Sequence, residues 1–255
     1  MNAATDTAER PRSMTHFYTT LAEWWPVISP VADYAEEAEE VRHVIAAQHP
    51  AATTLLELGS GGGHVAHYLA PHYHCCLTDI SGDMLALSRQ LNPSCDHLVG
   101  DMRTLRLERT FDVVLVHDAI DYMTSEQALA EVIDTAWQHL APGGVFVLLP
   151  DAVAERYEPG ADVSGGDHAD GRSARLMEWN EPLAPGATQV AVHYAFLLRA
   201  ADGQVQHLYE RHEAGVFPEA TWVRLLEAQG FAVTVVTERT GEDRAARRLF
   251  VGRRQ

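Results

Sequence analysis

Two features of this 255-residue chain place chemistry at neighbouring points. The stretch Glu57-Leu58-Gly59-Ser60-Gly61-Gly62-Gly63 leaves a strand-like run and enters a helical one. Glycines there permit a tight turn and let a ligand lie against bare backbone near a helix N-terminus. Asp79 ends the next strand-like run, 20 residues after Gly59. A carboxylate at that point can accept hydrogen bonds from ribose hydroxyls. A glycine triplet alone is explained equally well by a flexible turn, but the pair points to an adenosine-bearing cofactor. The loop lacks the Gly-Lys-Ser/Thr of a phosphate-binding loop, and it reads Glu-x-Gly-x-Gly-x-Gly rather than Gly-x-Gly-x-x-Gly. The acid at the strand end would repel a pyrophosphate and suits an ammonium or sulfonium group.

Further candidates lie apart in sequence. His117 and Asp118 end a buried apolar run at the carboxyl edge of a strand, where open sheets bind ligands; a hydrogen-bonded buried pair is the plainer reading. Tyr122 follows them and Tyr18 precedes everything else, each either packing or meeting a polar acceptor. Trp24 is a candidate substrate contact that aromatic packing explains more simply, and His212, in Glu210-Arg211-His212-Glu213, lies on a strand among charges. His64, His67, His72, His74, Cys75 and Cys76 invite a metal reading, since thiolates and imidazoles are good zinc ligands. Successive side chains on a strand point to opposite faces, however, so Cys75 and Cys76 cannot both reach one ion. No metal is expected.

The elements that must position these groups follow from the hydrophobic pattern. Thr53 to Leu58, Cys75 to Thr78, Asp96 to Val99, Phe111 to Val116 and Val145 to Leu149 read as strands. Helices are predicted over Ala35 to Gln48, His64 to Leu69, Met84 to Gln90 and Glu126 to His139. Such alternation implies a parallel sheet with helices on both faces. After Pro150 the pattern changes: Asp151 to Asp170 is rich in Gly, Pro and Asp, and Thr188 to Arg199 and Val205 to Ala214 alternate across the short turn Ala201-Asp202-Gly203-Gln204. Pro218 to Gln229 returns to helix, and Phe231 to Glu238 and Arg248 to Val251 to strand. The chain is thus expected to be one α/β domain. Its parts are an aromatic arm over 1–34 with a frayed tail at Met1 to Arg12, a core over 35–150 and 216–255, and an antiparallel β cap inserted at 151–215. The stretch Thr15 to Tyr34 holds Phe17, Tyr18, Trp24, Trp25 and Tyr34 beside Pro26 and Pro30, too aromatic for a free linker.

In order, Glu57 to Gly63, Asp79, Gly100-Asp101-Met102, the strand Phe111 to Val116 and Leu140-Ala141-Pro142-Gly143-Gly144 resemble the motifs of class I S-adenosylmethionine-dependent methyltransferases. The resemblance implies a Rossmann-like seven-stranded sheet with one antiparallel strand near an edge, and S-adenosyl-L-methionine as cofactor. It implies cofactor contacts from Tyr34, Glu57, Gly59, Ser60, Gly61, Gly63, Asp79, Ile80, Met84, Asp101, Met102 and His117. A narrower resemblance, in His16-Phe17-Tyr18, Asp33 to Ala38, Gly100-Asp101-Met102-Arg103 and Leu249-Phe250-Val251-Gly252, is to the macrolide amino-sugar N,N-dimethyltransferases. It implies that Tyr18 lies by the transferred methyl and that Tyr122 takes the place of a His or Tyr after the fourth strand. Read from the residues themselves, His117 is a further catalytic candidate, and Trp24, Asp118 and His212 join Tyr18 and Tyr122 as substrate-contact candidates. The sequence departs from those relatives at Trp24-Trp25-Pro26 and at the charged pair His117-Asp118. The expected reaction is methyl transfer to a nitrogen or oxygen of a small molecule, nitrogen favoured. The alternatives are an O-methyltransferase and an inert cofactor-binding module.

Composition narrows the partners. Nineteen Lys and Arg stand against 36 Asp and Glu, a net charge of −17. Such a surface repels phosphate backbones, so nucleic acid is not expected; the densest basic run, Arg244 to Arg254, is broken by strand-like apolar residues. Three cysteines, two of them adjacent, make no disulfide framework and favour a reducing compartment. With no signal core and no transmembrane run, a soluble cytoplasmic protein is expected, and a homodimer is among its expected states.

Overall fold

The computed structural model describes residues 15–241 and 245–255. The tail at Met1 to Arg12 and the start of the basic run at Arg244 lie outside them. Seven strands form the main sheet: β1 (Thr54–Leu58), β2 (His74–Asp79), β3 (Asp96–Val99), β4 (Phe111–His117) and β5 (Leu140–Leu149), then the last two of the chain. A second sheet is inserted between them, built from β6 (Gly160–Ser164), β7 (Ser173–Asn180), β8 (Gln189–Arg199) and β9 (Val205–Gly215). The main sheet is completed by β10 (Phe231–Thr237) and β11 (Arg248–Arg254), in the order β10-β11-β5-β4-β1-β2-β3. Every neighbouring pair is parallel except those of β11, which runs against both β5 and β10.

The two faces of this sheet carry different cores because strand side chains alternate. Leu55, Leu77, Val113, Leu115, Val145 and Val147 face one way. They meet α2 (Ala35–Gln48) through Ala38, Val41 and Ile45, and α3 (His64–Leu69) through Val65 and Leu69. Leu56, Leu58, Val114, Val116, Phe146 and Leu148 face the other way, against α5 (Glu126–His139) and α6 (Glu219–Gln229). Two of the helices between strands are capped by a serine: Ser81 Oγ accepts from Met84 N at the head of α4 (Gly82–Leu91), and Ser125 Oγ accepts from Ala128 N at the head of α5.

The inserted sheet is fully antiparallel and has four strands where two were expected. β6 lies in the Gly- and Asp-rich stretch that reads as loop in the sequence, and β7 lies just beyond it. Every residue of β6 is exposed, so no apolar alternation marks it. The aromatic arm packs on this cap. It runs through a 3-10 turn at His16–Tyr18, another at Ala22–Trp24, the single turn α1 (Trp25–Ile28) and a 3-10 turn at Val31–Tyr34. Phe17, Leu21, Trp24, Val27 and Ile28 form one apolar cluster with Ala174, Leu176, Phe196 and Leu198 of the cap. Arm and insertion are therefore one cover over the carboxyl edge of the sheet. No helix among the described residues is long and apolar enough to cross a membrane.

Candidate active site

The glycine loop follows β1 as a left-handed turn, with φ of +75° at Gly59, +52° at Gly61 and +75° at Gly63. Its surroundings admit no side chain at two of these positions. A Cβ on Gly59 would stand 2.5 Å from Ala119 Cβ, and one on Gly63 would stand 2.5 Å from Asn92 Nδ2. At Gly61 only Met84 Cε lies near, at 3.6 Å, so bare backbone there faces open space. Asp79 orders the loop: one carboxylate oxygen accepts from Gly61 N at 2.8 Å and the other from Ser81 N at 2.7 Å. Ile80, beside it, is 55% exposed, an apolar surface left open next to the loop. Met84 is buried under the loop and Met102 half-buried against Gly59, while Asp101 is held below the usual carboxylate range by Arg103.

Two polar groups at this loop lack partners among the described residues. Glu57 is 2% exposed and its Oε2 has no hydrogen bond; desolvation pushes its carboxyl up to about 8. Ser60 Oγ is buried and unpartnered as well. A buried carboxyl without a cation is costly, so the loop is complementary to a positively charged ligand that lies on glycine backbone. Those are the demands of S-adenosylmethionine, which carries an ammonium and a sulfonium, and the residues present fit it.

A second group stands between cover and sheet. Ala119, packed on Gly59, begins a 3-10 turn that ends at Tyr122. Tyr122 Oη lies 2.8 Å from Tyr18 Oη of the arm and 3.0 Å from His212 Nδ1 of β9. His212 Nε2 in turn lies 2.9 Å from Glu210 Oε2. The structure thus brings together Tyr18, Tyr122 and His212, and adds Glu210. Burial, and the crowding of Tyr18 with Tyr122 and of Tyr122 with Tyr194, raises both hydroxyls well above their ordinary pKa. Ser81 Oγ ties the arm to this place by donating to the Tyr18 carbonyl.

His117 and Asp118 belong to a third group. His117 Nε2 lies 2.9 Å from Glu37 Oε2, and its Nδ1 lies 3.0 Å from Asp118 Oδ2. Arg247 closes the network, with Nη1 at 2.8 Å from Asp118 and Nη2 at 3.0 Å from Glu238 and paired with Glu37. Burial opposes the charge on His117, yet Asp118 and Glu37 together push its pKa up to about 10. An imidazolium has no lone pair, so His117 in this setting takes no proton from an acceptor. Asp118 has φ of +48°, alone among the described residues other than glycine in having positive φ, and the two cations fix it there. Tyr34 has its hydroxyl 2.8 Å from Ser29 Oγ and its ring centroid 6.4 Å from that of His117. Tyr34, Glu37, Asp118, Asp151 and Arg247 line a cavity of about 550 Å³ together with Asp33 and Glu36.

Trp24 sits elsewhere. It is 5% exposed within the arm–cap cluster, with the Arg172 guanidinium 5.3 Å from its ring. The histidine and cysteine run does not assemble: Cys75 and Cys76 enter the cores on opposite faces of the sheet, and His64 packs beside Tyr34 and Trp25. Among the described residues, Glu37, His117 and Asp118 have the mutual spacing for a metal ion, but the Arg247 guanidinium is paired with two of them. Glu37, Arg247 and Glu210 escaped the sequence reading. Glu210 alone carried a signal, since it shares a strand face with His212 two residues on.

Comparison with known proteins fits this geometry. A methyltransferase-domain family matches residues 55–144. The chain is 29% identical over 223 residues to the dTDP-3-amino-3,4,6-trideoxy-alpha-D-glucopyranose N,N-dimethyltransferase of Streptomyces venezuelae, covering 86% of this chain and 91% of that protein. It is 28% identical over 203 residues to the dTDP-3-amino-3,6-dideoxy-alpha-D-glucopyranose N,N-dimethyltransferase of Streptomyces fradiae, covering 79% and 78%. Among solved structures, Streptomyces venezuelae DesVI superposes with TM-score 0.75 at 25% identity over 86% of this chain and 91% of that one. CalS10, an amino pentose methyltransferase from Micromonospora echinaspora solved with S-adenosylmethionine bound, gives TM-score 0.73 at 26% identity over 87% and 92%. The chain is thus similar over most of its length to S-adenosylmethionine-dependent sugar N-methyltransferases, carries a methyltransferase domain, and is an enzyme that methylates a small molecule.

Proposed function

We propose that the acceptor is a primary or secondary amine on an amino-sugar-like small molecule, methylated at nitrogen. The observation that carries this reading is the pair of tyrosine hydroxyls 2.8 Å apart at the seam between cover and glycine loop. They can hold an amine by hydrogen bonds while presenting no anion that would itself be methylated. Relatives named for N,N-dimethylation of dTDP-linked amino sugars support it. When bound, S-adenosylmethionine supplies a methyl on a positively charged sulfur, which leaves as a neutral thioether. We assign its binding to the backbone of Gly59, Ser60, Gly61 and Gly63, with Asp79 toward the ribose, Ile80, Met84, Asp101 and Met102 toward the base, and Glu57 and Tyr34 toward the amino-acid end.

An ammonium nitrogen has no lone pair, so the amine attacks only when neutral. The acidic cavity lined by Asp33, Glu36, Asp118 and Asp151 draws the amine in as its cation, and the tyrosine pair then orients it. Alignment for in-line displacement, in a site from which the aromatic arm excludes water, supplies most of the acceleration. O-methylation would need a base at the acceptor hydroxyl, and His117, the sequence candidate, is protonated. The test is S-adenosylhomocysteine release with matched panels of amines and alcohols built on one sugar. Turnover of amines alone is expected; turnover of alcohols alone overturns the reading, and no turnover with tight cofactor binding favours an inert module. We further propose a homodimer through the outer face of the cap, where Val163, Met177, Trp179, Leu197 and Tyr209 are each at least half exposed, and no role for nucleic acid.

A further inference from the structure

We propose that Glu210 and His212 form, with Tyr122 and Tyr18, a proton outlet that carries the acceptor's ammonium proton into the cap. The inference rests on the amine reading above. The four side chains make a continuous path: 2.8 Å from Tyr18 to Tyr122, 3.0 Å from Tyr122 to His212 Nδ1, and 2.9 Å from His212 Nε2 to Glu210. The inner two are nearly sealed, with Glu210 8% and His212 4% exposed. Glu210 Oε2 also accepts from Phe17 N at 3.4 Å, while its Oε1 has no partner among the described residues. Both donors thus fall on one oxygen, and a buried carboxylate whose other oxygen is bare is well placed to hold a positive charge that arrives on His212. The path supplies that charge.

Transfer forms the N–C bond with the nitrogen lone pair, and the C–S bond breaks with its pair going to sulfur. The new nitrogen is a cation that still holds a proton. At rest Tyr122 Oη donates to Tyr18 Oη, so its hydroxyl first turns to His212 Nδ1. The ammonium proton then passes to Tyr18 Oη as the Tyr18 proton passes to Tyr122 and the Tyr122 proton to His212 Nδ1. The nitrogen ends neutral and His212 ends as imidazolium against Glu210. Both tyrosines are raised far above their ordinary pKa, so neither stores the charge as a phenolate and the shift is concerted. A neutral product nitrogen is free to accept a second methyl. The titratable groups facing this path are Tyr194 on β8, whose ring centroid lies 4.7 Å from that of His212, and at longer range Glu178, Asp121 and Asp151. All three carboxyls favour a positive charge in the region when ionised.

The test uses the full chain with S-adenosylmethionine and a 3-amino-3-deoxyhexose with its mono-N-methyl derivative as probes. Rates are followed from about pH 6 to about pH 9 in H2O and D2O. Glu210→Gln keeps the packing and removes the charge, so the acid limb of kcat should move to lower pH while the plateau falls. His212→Gln should lower kcat at least about tenfold with KM little changed, and abolish that limb and the solvent isotope effect. Nitrogen NMR of the His212 ring with S-adenosylhomocysteine bound should show an Nδ1 signal that moves in Tyr122→Phe. A His212→Gln enzyme of normal kcat, or one slowed with limb and isotope effect intact, overturns the outlet. If the wild type methylates no amine, the amine reading has failed. The outlet then stands or falls on the NMR, and an imidazole signal indifferent to Tyr122→Phe removes it.

Discussion

Glu57 holds its proton to about pH 8 because burial costs its carboxylate more than the nearby charge of His117 returns. The ordinary value, which the unfolded chain keeps, is 4.5, so this group costs the ligand-free fold nothing below that and progressively more as pH rises to about 8. Glu57→Gln should therefore melt higher than wild type at pH 8, by an amount on the order of a few kcal/mol, and match it near pH 5. Thermal melts across that range check it, and equal melting at both ends would mean that the acid is already paired. At Asp79 the expectation concerns affinity. Its two oxygens already order the loop, and loss of further charged hydrogen bonds to a ribose should weaken cofactor binding by about 1.5–3 kcal/mol in Asp79→Ala. Calorimetry with a folded variant of unchanged affinity would place the ribose elsewhere. These two residues were legible in the sequence because their meaning is local: a strand end, a turn of glycines, the next strand end. Glu37 and Arg247 were not, since they lie 210 residues apart and meet only when α2 packs on the sheet in which β5 joins β4 to β11.

Elements, more than single groups, decide whether the site closes. α2, β4 and the lead-in to β11 are clamped by Arg247, which faces Glu37, Asp118 and Glu238 at once. Arg247→Leu removes the cation shared by Asp118 and the buried Glu37 and Glu238, and a loss of about 3–5 kcal/mol is expected in chemical denaturation. His117 adds a pH term of known sign. Its folded value is raised above the ordinary 6.5, so its stabilisation is complete below about 6.5 and lost as pH climbs through about 10. His117→Gln should flatten that decline. The arm depends on the cap in the same way. Trp24→Ala removes a side chain from the shared cluster, a change of about 3–5 kcal/mol for a buried aromatic. Since the main sheet does not rest on it, the result should be an arm opened to protease between Ala22 and Ile28, with turnover falling further than cofactor affinity. An arm as resistant as wild type would show the cluster to be dispensable. The alternation of strand and helix through β5 and the hairpin of β8 and β9 were readable from apolar period alone. β6 escaped because all its residues are exposed and come from a Gly- and Asp-rich stretch. β7 escaped because its inward positions read Ala174, Leu176, Glu178, Asn180 and its outward ones Ser173, Arg175, Met177, Trp179, so polarity does not alternate.

At the scale of the whole molecule, the cap has a dry face toward the arm and an outer face that is apolar in rows. Strand register sets Val163 beside Met177, Met177 beside Ala195 and Ala195 beside Tyr209. A second copy covering those rows should appear as twice the monomer mass in light scattering, and Met177→Asp with Tyr209→Asp should halve it without disturbing cofactor binding. A wild type that stays monomeric at high concentration would end that proposal. The joining of arm to cap also has a consequence for how the chain is made. Phe17 meets Phe196, 179 positions downstream, edge to face with ring centroids 4.8 Å apart. At roughly 5–20 residues per second, a ribosome takes on the order of ten to forty seconds to deliver the partner. Throughout that interval the arm holds Phe17, Leu21, Trp24, Val27 and Ile28 without the cap residues they pack on. The segment that keeps water from the finished site is thus the one most in need of a holding chaperone during translation.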